Sequence, residues 1–515
     1  MLEHFIKKLN GYYRRHDNIE TNREISKNVP VSKSIKENMK LISPLIKGSN
    51  DIVERQFQAG GRKVVFYYVD GLSSRDTISD FIMRGLMDDG ENKKHFKTID
   101  AVLDFVLVCG EVTKVKTVKE AIDGFLKADL ALFMEGFSEA LVINAKGFER
   151  RSISDPQTDS VIRGPREGFT ESMRTNTSLL RRRIRTTNLV MESVSAGVSS
   201  KTDITLAYLE NTVKKDVLKE IKKRISKINF DAILDSGYIE QFIADRPNSI
   251  FPTMGYTEKP DIAAAKILEG RVCIIVDGSP FVLTAPSVFS ESFQSPEDYY
   301  INPVYASMLR ILRYFSFFIS VFALPVYVAA ASFHYELLPL SMLLSVAASE
   351  EGTPLSTPWE AFIMLIVFEI LKEAGVRMPK PVGQAVSIVG ALVLGETAVS
   401  AGIIGAPMVI AVAITALTAF VIPTQINAVT VLRFIMLVFA TLFGGVGLTV
   451  GGIGIILYLS RIDSFGIPYL TPVAPFRLPD MKDTFVRMPI KTFLTRPTGT
   501  TKQNPIRQTY YGEDL

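Results

Sequence analysis

The feature that most constrains this chain is the uneven distribution of its charges. Residues 1–300 carry 44 basic and 42 acidic side chains, whereas residues 301–460 carry only 6 and 7. A water-soluble domain of the latter size could not cover its surface with so few charges. The pattern therefore requires a soluble part followed by a membrane part, and it excludes purely soluble and disordered chains. The tail, 461–515, returns to polar composition with 8 basic and 5 acidic residues. A net charge of +4 is too small for a global field that steers the protein to nucleic acid.

Residues 1–30 hold no apolar run of signal-peptide length, so residues 1–300 are expected to stay in the cytoplasm. Cys109 and Cys273, the two cysteines, each sit in an apolar run without metal or redox spacing and read as reduced core residues. Residues 1–60 read as a lead-in, with amphipathic helices over 33–58. A first α/β subdomain is expected over 61–148, with a strand at 63–69, a helix at 76–88, and a hairpin in which strands 130–134 and 140–143 flank Glu135-Gly136. A second follows over 149–305. It has a helix near 168–184, strands at 187–194 and 203–209, a charged helix near 212–228, and a hairpin around Asp277-Gly278 whose second strand Pro280 pushes toward a sheet edge. No internal repeat is visible. The expected fold class is an α/β (α+β) cytoplasmic domain of two subdomains followed by an all-α multipass membrane domain at 306–462 and a polar cytoplasmic C-terminal tail at 463–515.

Within the membrane part, Tyr314–Phe333 is 20 residues without a charge, about 30 Å as a helix. Leu337–Ala348 is too short for a span and suits a re-entrant or interfacial piece. Pro381–Ile422 holds the single charge Glu396, and Phe434–Ser460 holds none. Arg310 and Arg313 precede the block, and Arg461 and Arg477 follow it, which places both ends in the cytoplasm and makes the number of crossings even. Four crossings plus short segments fit these constraints.

Signatures of catalysis fail in turn: there is no phosphate-binding GxxxxGKS/T, no HExxH and no GxSxG. Among four histidines, His4, His16, His95 and His334, no pair has metal-ligand spacing. No cofactor and no enzymatic activity are expected. The glycines from Gly444 to Gly454 lie inside an uncharged run, and Gly447 with Gly451 forms a GxxxG packing face. Nine arginines and no lysine fall between 150 and 185. That choice points to forked contacts, either ion pairs within the chain, with Glu167, Glu171 and other carboxylates, or an assembly surface. Acids inside the apolar block, Glu369, Glu373 and above all Glu396, are functional candidates because a charge there is costly. Gly383, Ser387, Gly390 and Ala391, with Gln384 beside them, form a small-residue face that either packs helices or lines a path.

Several stretches closely resemble the A-subunit family of spore germination receptors, the GerA family. They include Ile162-Arg163-Gly164-Pro165-Arg166-Glu167-Gly168-Phe169, Leu180-Arg181-Arg182-Arg183, Thr257-Glu258-Lys259-Pro260-Asp261, Asp277-Gly278-Ser279-Pro280-Phe281, Glu297-Asp298-Tyr299-Tyr300, His334-Tyr335-Glu336-Leu337-Leu338-Pro339 and Phe465-Gly466-Ile467-Pro468-Tyr469. The resemblance covers about 60–480. Lys259 stands where the family usually has arginine, and Glu396 lies at a position that varies in the family. The resemblance implies a multipass protein of the spore inner membrane that works with a transporter-like B subunit and a lipoprotein C subunit. It also implies a homo-oligomer that forms a nutrient-gated ion channel in lipid, with no nucleic-acid partner. The rival is a non-conducting signalling or scaffold subunit that relays the state of its transporter-like partner. On the channel reading, Gln384, Ser387, Val389, Gly390, Ala391, Leu392, Val393 and Glu396 are the candidate pore and gate residues, with the apolar ones closing the path by dewetting. Arg163, Arg166, Arg174, Glu258 and Asp261 are the candidate assembly residues.

Overall fold

The computed structural model describes residues 29–88, 96–107, 111–147, 161, 163–378, 390, 395–501 and 503–508. Helix α1 (Ile35–Ile46) leads into β1 (Ile52–Ala59) and β2 (Arg62–Val69). A π-helical turn (Thr77–Met83), α2 (Arg84–Asp88), α3 (Ile99–Phe105), β3 (Val112–Val115), α4 (Val118–Phe125), β4 (Leu130–Met134) and β5 (Ala140–Ile143) follow. The second unit has the same order of elements: α5 (Met173–Arg183), β6 (Leu189–Ala196), β7 (Thr202–Leu209), α6 (Lys215–Ile225), α7 (Ser236–Ile243), β8 (Gly255–Thr257), α8 (Pro260–Leu268), β9 (Val272–Val276) and β10 (Val282–Ala285).

The spatial strand orders are β1-β2-β4-β5-β3 and β6-β7-β9-β10-β8, so the two antiparallel sheets share one topology. Every boundary of β9 and β10 lies 142 residues after that of β4 and β5. After α4 and α8, the equivalent residues Ala128 (φ 78°) and Gly270 (φ 89°) both adopt the left-handed region. In each unit a segment ahead of the first helix bonds the chain just past the third strand: Val31 N donates to Lys116 O at 2.9 Å, and Phe169 N to Glu258 O at 2.6 Å. This duplication escaped the sequence reading because the two copies keep polarity and turn chemistry rather than residues. Leu-Ala-Leu-Phe-Met before Glu135-Gly136 answers Val-Cys-Ile-Ile-Val before Asp277-Gly278.

Each sheet is covered on both faces. Helices α1 and α4 pack on one face of the first sheet, and the π-turn with α2 and α3 on the other. Helices α6 and α7 cover one face of the second, and α5 with α8 the other. Hence β4 and β9 are buried at every position, which explains their unbroken apolar runs. Two expectations change. Residues 52–58 form β1 rather than helix, so the first unit begins inside the supposed lead-in. β10 is not an edge strand but sits between β9 and β8, because Pro280 falls in the turn before Val282 and removes no ladder bond.

The C-terminal part is helical: α9 (Pro303–Ser332), α10 (Leu340–Glu350), α11 (Thr357–Arg377), α12 (Ala406–Phe420) and α13 (Ile426–Ser460). Among the described residues, two helices are long and apolar enough to cross a membrane, Pro303–Ser332 and Pro423–Ser460. The second is not one straight rod. Gly444 has φ 58° and ψ −135°, outside helical geometry. The two limbs then fold against each other: a methyl built on Gly451 would lie 2.7 Å from Met436 Sδ, and one on Gly447 would strike Phe439 O. In a straight helix, residues 436 and 451 stand about 22 Å apart. The limbs 426–443 and 445–460 are therefore antiparallel, about 27 and 24 Å long. Their open ends share a cluster with Phe317, Ala419 and Tyr469 on the sheet side, and Gly444 meets Phe333 on the far side.

Residues 463–508 are not a free tail. Strands β11 (Asp463–Ser464) and β12 (Ile467–Pro468) open a strap that runs back over the second unit. Thr501 Oγ1 donates to Thr212 O at 2.6 Å, Thr500 Oγ1 to Glu269 O at 2.9 Å, and Arg496 Nε to Leu268 O at 2.8 Å. Only Gly supports the Gly444 conformation without strain, and a methyl there would press on Phe333 Cβ at 2.9 Å. Gly444→Ala is expected to lower stability by about 2 kcal/mol or more, measured as a lower melting temperature of the full chain in detergent.

Candidate functional site

The sheets meet the helices at a compact ionic junction. After β10 the chain makes two short 3-10 turns, Phe289–Phe293 and Pro296–Tyr299, before α9 begins. Ser295 and Asp298 cap the second turn reciprocally, with Ser295 N donating to Asp298 Oδ2 at 3.2 Å. Asp298 is fully buried. Arg310 donates to Asp298 Oδ2 from Nη2 at 3.1 Å and from Nε at 3.3 Å. Arg313, one turn on, donates to Oδ2 at 2.8 Å and to Oδ1 at 2.9 Å. Arg310 Nη1 also reaches Asp483 of the strap, at 2.7 Å to Oδ1 and 2.8 Å to the main-chain O. Tyr299 OH closes the ring on Asp483 Oδ2 at 2.7 Å. Two arginines and two carboxylates thus neutralise each other, and each guanidinium is held as a fork. The two arginines that precede the apolar block tie three parts of the chain together.

Beside this junction lies a cleft of about 930 Å³ between β8, α8, the 3-10 turns, the loop before α13 and the strap. Its charged groups are largely spoken for. Glu291 bonds Lys266 Nζ at 2.5 Å and pairs with Arg271. Burial pushes the Glu291 carboxyl up, but Arg271 and Lys266 outweigh burial and hold it below its ordinary value. Asp261 accepts from Tyr300 OH at 2.8 Å. Lys259 is fully buried, its Nζ 4.0 Å from Asp261 Oδ2 and without a hydrogen bond. The lysine lacks the second arm that an arginine would bring to this place. Among the described residues no group of His, Cys, Asp and Glu has the arrangement of a metal site.

The model of the Bacillus/Clostridium GerA spore germination protein family matches residues 40–499. The chain belongs to the GerA family. Spore germination protein KA of Bacillus subtilis (strain 168) is 41% identical over 485 residues, covering 93% of this chain and 89% of that protein. The protein called "Uncharacterized membrane protein YfkQ" of the same strain is 42% identical, covering 92% and 93%. The crystal structure of the N-terminal domain of the A subunit of the Bacillus megaterium spore germinant receptor GerK3 aligns with a TM-score of 0.41 and 32% identity, covering 51% of this chain and 98% of that one.

In this GerA-family chain, most of the described arginines between 163 and 185 bond within the chain. Arg181 is buried and donates to Asp51 at 2.8 and 2.9 Å, which joins the two sheet units. Arg174 reaches Asp70 at 3.3 Å across the same boundary, and Arg182 and Arg183 hold Glu167. Arg163 and Arg166 are exposed. Glu258 is buried, and Asp261 is part-buried with its side chain 8% exposed and bonded to Tyr300. Of the pore candidates, Gln384, Ser387, Val389, Ala391, Leu392 and Val393 lie outside the described residues, as does Cys109. Gly390 is buried against Leu371, and Glu396 is exposed. Cys273 is buried in the core, as expected. The sequence reading missed Asp483, which sits in no recognisable motif, and Arg433. The latter is buried between helices and donates to Ser320 O at 2.9 Å and Thr415 O at 3.1 Å.

Asp298→Asn removes the shared anion and leaves the buried Arg310 and the part-buried Arg313 short of charge. It is expected to destabilise the full chain by about 3–5 kcal/mol, visible in detergent as a loss of folded protein. The lowered Glu291 carboxyl sets a pH dependence. Its contribution is complete above the ordinary value of 4.5 and is lost as pH falls through the lower folded value. Burial raises the Asp483 carboxyl instead, so that group contributes with the opposite sign. The difference between the wild type and Glu291→Gln isolates Glu291: the wild type's stability advantage should shrink on acidification below pH ~4.5, measured by thermal unfolding.

Proposed function

We propose that this chain is the A subunit of a nutrient-responsive germinant receptor in the spore membrane, with both soluble ends in the cytoplasm. It acts with a transporter-like B subunit and a lipoprotein C subunit, and several copies assemble around a path for ions. Its role is conformational rather than catalytic. The observation that carries the reading is the Asp298–Arg310–Arg313–Asp483 junction, which fastens an α/β domain to the first long apolar helix and to the strap. A change in the soluble units is thereby delivered to the helices as a rigid displacement rather than dissipated in a linker.

The arrangement of helices supports a multipass reading. Thr424 Oγ1 bonds Ser292 O on the sheet side, while Glu360 accepts from Gly405 N at the other end of α12. Helices α9, α11, α12 and the two limbs of α13 run between these levels. The chain is on the sheet side at Arg377 and on the far side by Gly405. On this reading the described helices make five passages, where the sequence pattern alone suggested four crossings in all. Leu324, Val328, Leu365, Met408, Val412 and Leu437 pack the interior of one copy, so an ion path belongs between copies. The segment 381–400, with Gln384, Ser387, Val389, Gly390, Ala391, Leu392, Val393 and Glu396, remains the candidate lining.

Reconstitution of the three-subunit complex in liposomes tests the proposal, with nutrient-dependent ion flux as the readout. Flux is expected in the wild type, and some polar replacements at Val389, Leu392 or Val393 are expected to leak ions without nutrient. A complex that assembles and binds nutrient but conducts in neither case would make the chain a non-conducting relay.

A further inference from the structure

The helices of the C-terminal part pack into two separate apolar blocks. In the block next to the sheets, Phe317 and Val321 of α9 and Ala419 of α12 pack with Phe251 of the second unit, Phe293 of the first 3-10 turn and Tyr469 of the strap. In the far block, Leu324 and Val328 of α9 pack with Leu365 of α11 and with Met408 and Val412 of α12. The divide therefore falls between 321 and 324 on α9 and between 412 and 419 on α12. Helix α13 gives Leu432 and Met436 to one block and Leu437 to the other. Among the described residues, the buried apolar side chains of α11 pack in the far block alone.

Polar groups lie along this divide. Arg433, 1% exposed, donates from Nε to Ser320 O of α9 at 2.9 Å and from Nη2 to Thr415 O of α12 at 3.1 Å. One turn earlier on α13, Thr430 Oγ1 donates to Glu369 Oε1 of α11 at 3.3 Å, and Glu369 pairs with Lys372. Interdigitated apolar side chains resist sliding, because any shift opens voids between them. That interlock stops at the divide. A guanidinium that holds one oxygen on each neighbouring helix pins them at a point and leaves them free to pivot about it.

Pro325 lies in the interior of α9, four residues beyond Val321. It has no N–H to give Val321 O, and its ring crowds that carbonyl. Helix α9 thus lacks a main-chain bond at the level where its packing changes blocks, and proline is a recurrent cause of helix bends. The sheet-side limb of α9 is held at both ends, by Asp298 at Arg310 and Arg313 and by Arg433 at Ser320. The rigid body that begins in the soluble units accordingly reaches Ser320 and stops there.

We propose that α9 bends at 321–325, with Arg433 as the pivot, so that a displacement of the soluble units turns the sheet-side block against the far block. This rests on the conformational role proposed above and adds where that displacement becomes motion between helices. The far block includes α11 and the first half of α12, which flank 379–405 in the chain. Gly390 is buried against Leu371 of α11. Movement at the joint is thereby passed to the candidate lining.

The test uses the three-subunit complex in liposomes, with spin labels at Leu312→Cys and Ile370→Cys in a chain otherwise free of cysteine, labelled copies being diluted into unlabelled ones. Both positions are exposed, one on the sheet-side limb of α9 and one on α11. Nutrient is expected to change their separation by about 2 Å or more. Pro325→Ala restores the N–H, and it is expected to abolish that change and to raise the nutrient concentration for half-maximal flux about tenfold. Pro325→Gly keeps a pliable backbone and is expected to retain both responses. Helix propensity orders these variants the other way, alanine above glycine, so Pro325→Ala should have the higher melting temperature. Responses that follow the melting temperature, or that are the same in all three proteins, overturn the joint and leave the conformational role standing. A wild type that conducts with nutrient while the separation stays fixed overturns the joint as well. A wild type with neither flux nor a change in separation overturns the receptor reading on which the joint rests. A separation that responds without flux upholds the joint in a non-conducting relay.

Discussion

Five N–H groups converge on the carboxylate of Asp298, four from two arginines and one from Ser295. Buried charges are tolerated only when paired and fully bonded, and here one acid meets two cations while Asp483 supplies the balance. The consequence reaches beyond the pair. Asp298 ends the sheet domain, Arg310 and Arg313 begin the first long helix, and Asp483 belongs to the strap. Breaking one contact exposes the others, so the three parts move as one body. A simple apolar contact between sheet and helix would tolerate sliding, whereas forked guanidinium pairs fix distance and angle together.

The duplicated sheet units are used asymmetrically. Among the described residues the first carries no strap, and its ties to the second unit include Arg181–Asp51, Arg174–Asp70 and a hydrogen bond from Asn50 N to Met191 O at 2.9 Å. The second carries the strap, the cleft and the junction. Its third strand, β8, is only three residues long where β3 has four, and the strap lies beside the following helix at Leu268 and Glu269. Gly270 shows how close that approach is: a methyl there would lie 3.1 Å from Thr501 Cβ, whereas the first unit accommodates Ala128 at the matching place.

Polar groups inside the helical part follow the same logic of complete bonding. Arg433 has no carboxylate within ion-pair distance among the described residues, and it donates to main-chain oxygens of α9 and α12. It thereby ties three helices at one level. Glu360 accepts from the N-cap of α12, where the free amides and the helix dipole favour an anion. Both are expensive in an apolar surrounding and are retained where they hold helices in register.

Composition and hydropathy decided the division into a charge-rich α/β part and an apolar helical part, because the surroundings of a segment select residue types locally along the chain. Strand and hairpin positions at 130–143 and 272–285 were legible for the same reason: alternation, apolar runs and turn residues act over a few neighbours. Family motifs carried the identity, and they contained Asp298 and Arg181 without saying what either touches. The structure alone decided which residues far beyond local reach in the sequence meet. Asp483 finds Arg310, Asp51 finds Arg181, and residue 451 returns to 436 around Gly444. The duplication and the inward turn of Arg310 and Arg313 were hidden for a related reason. Both depend on which side of an element points inward, and only the pairing of buried charges and the packing of distant segments sets that orientation.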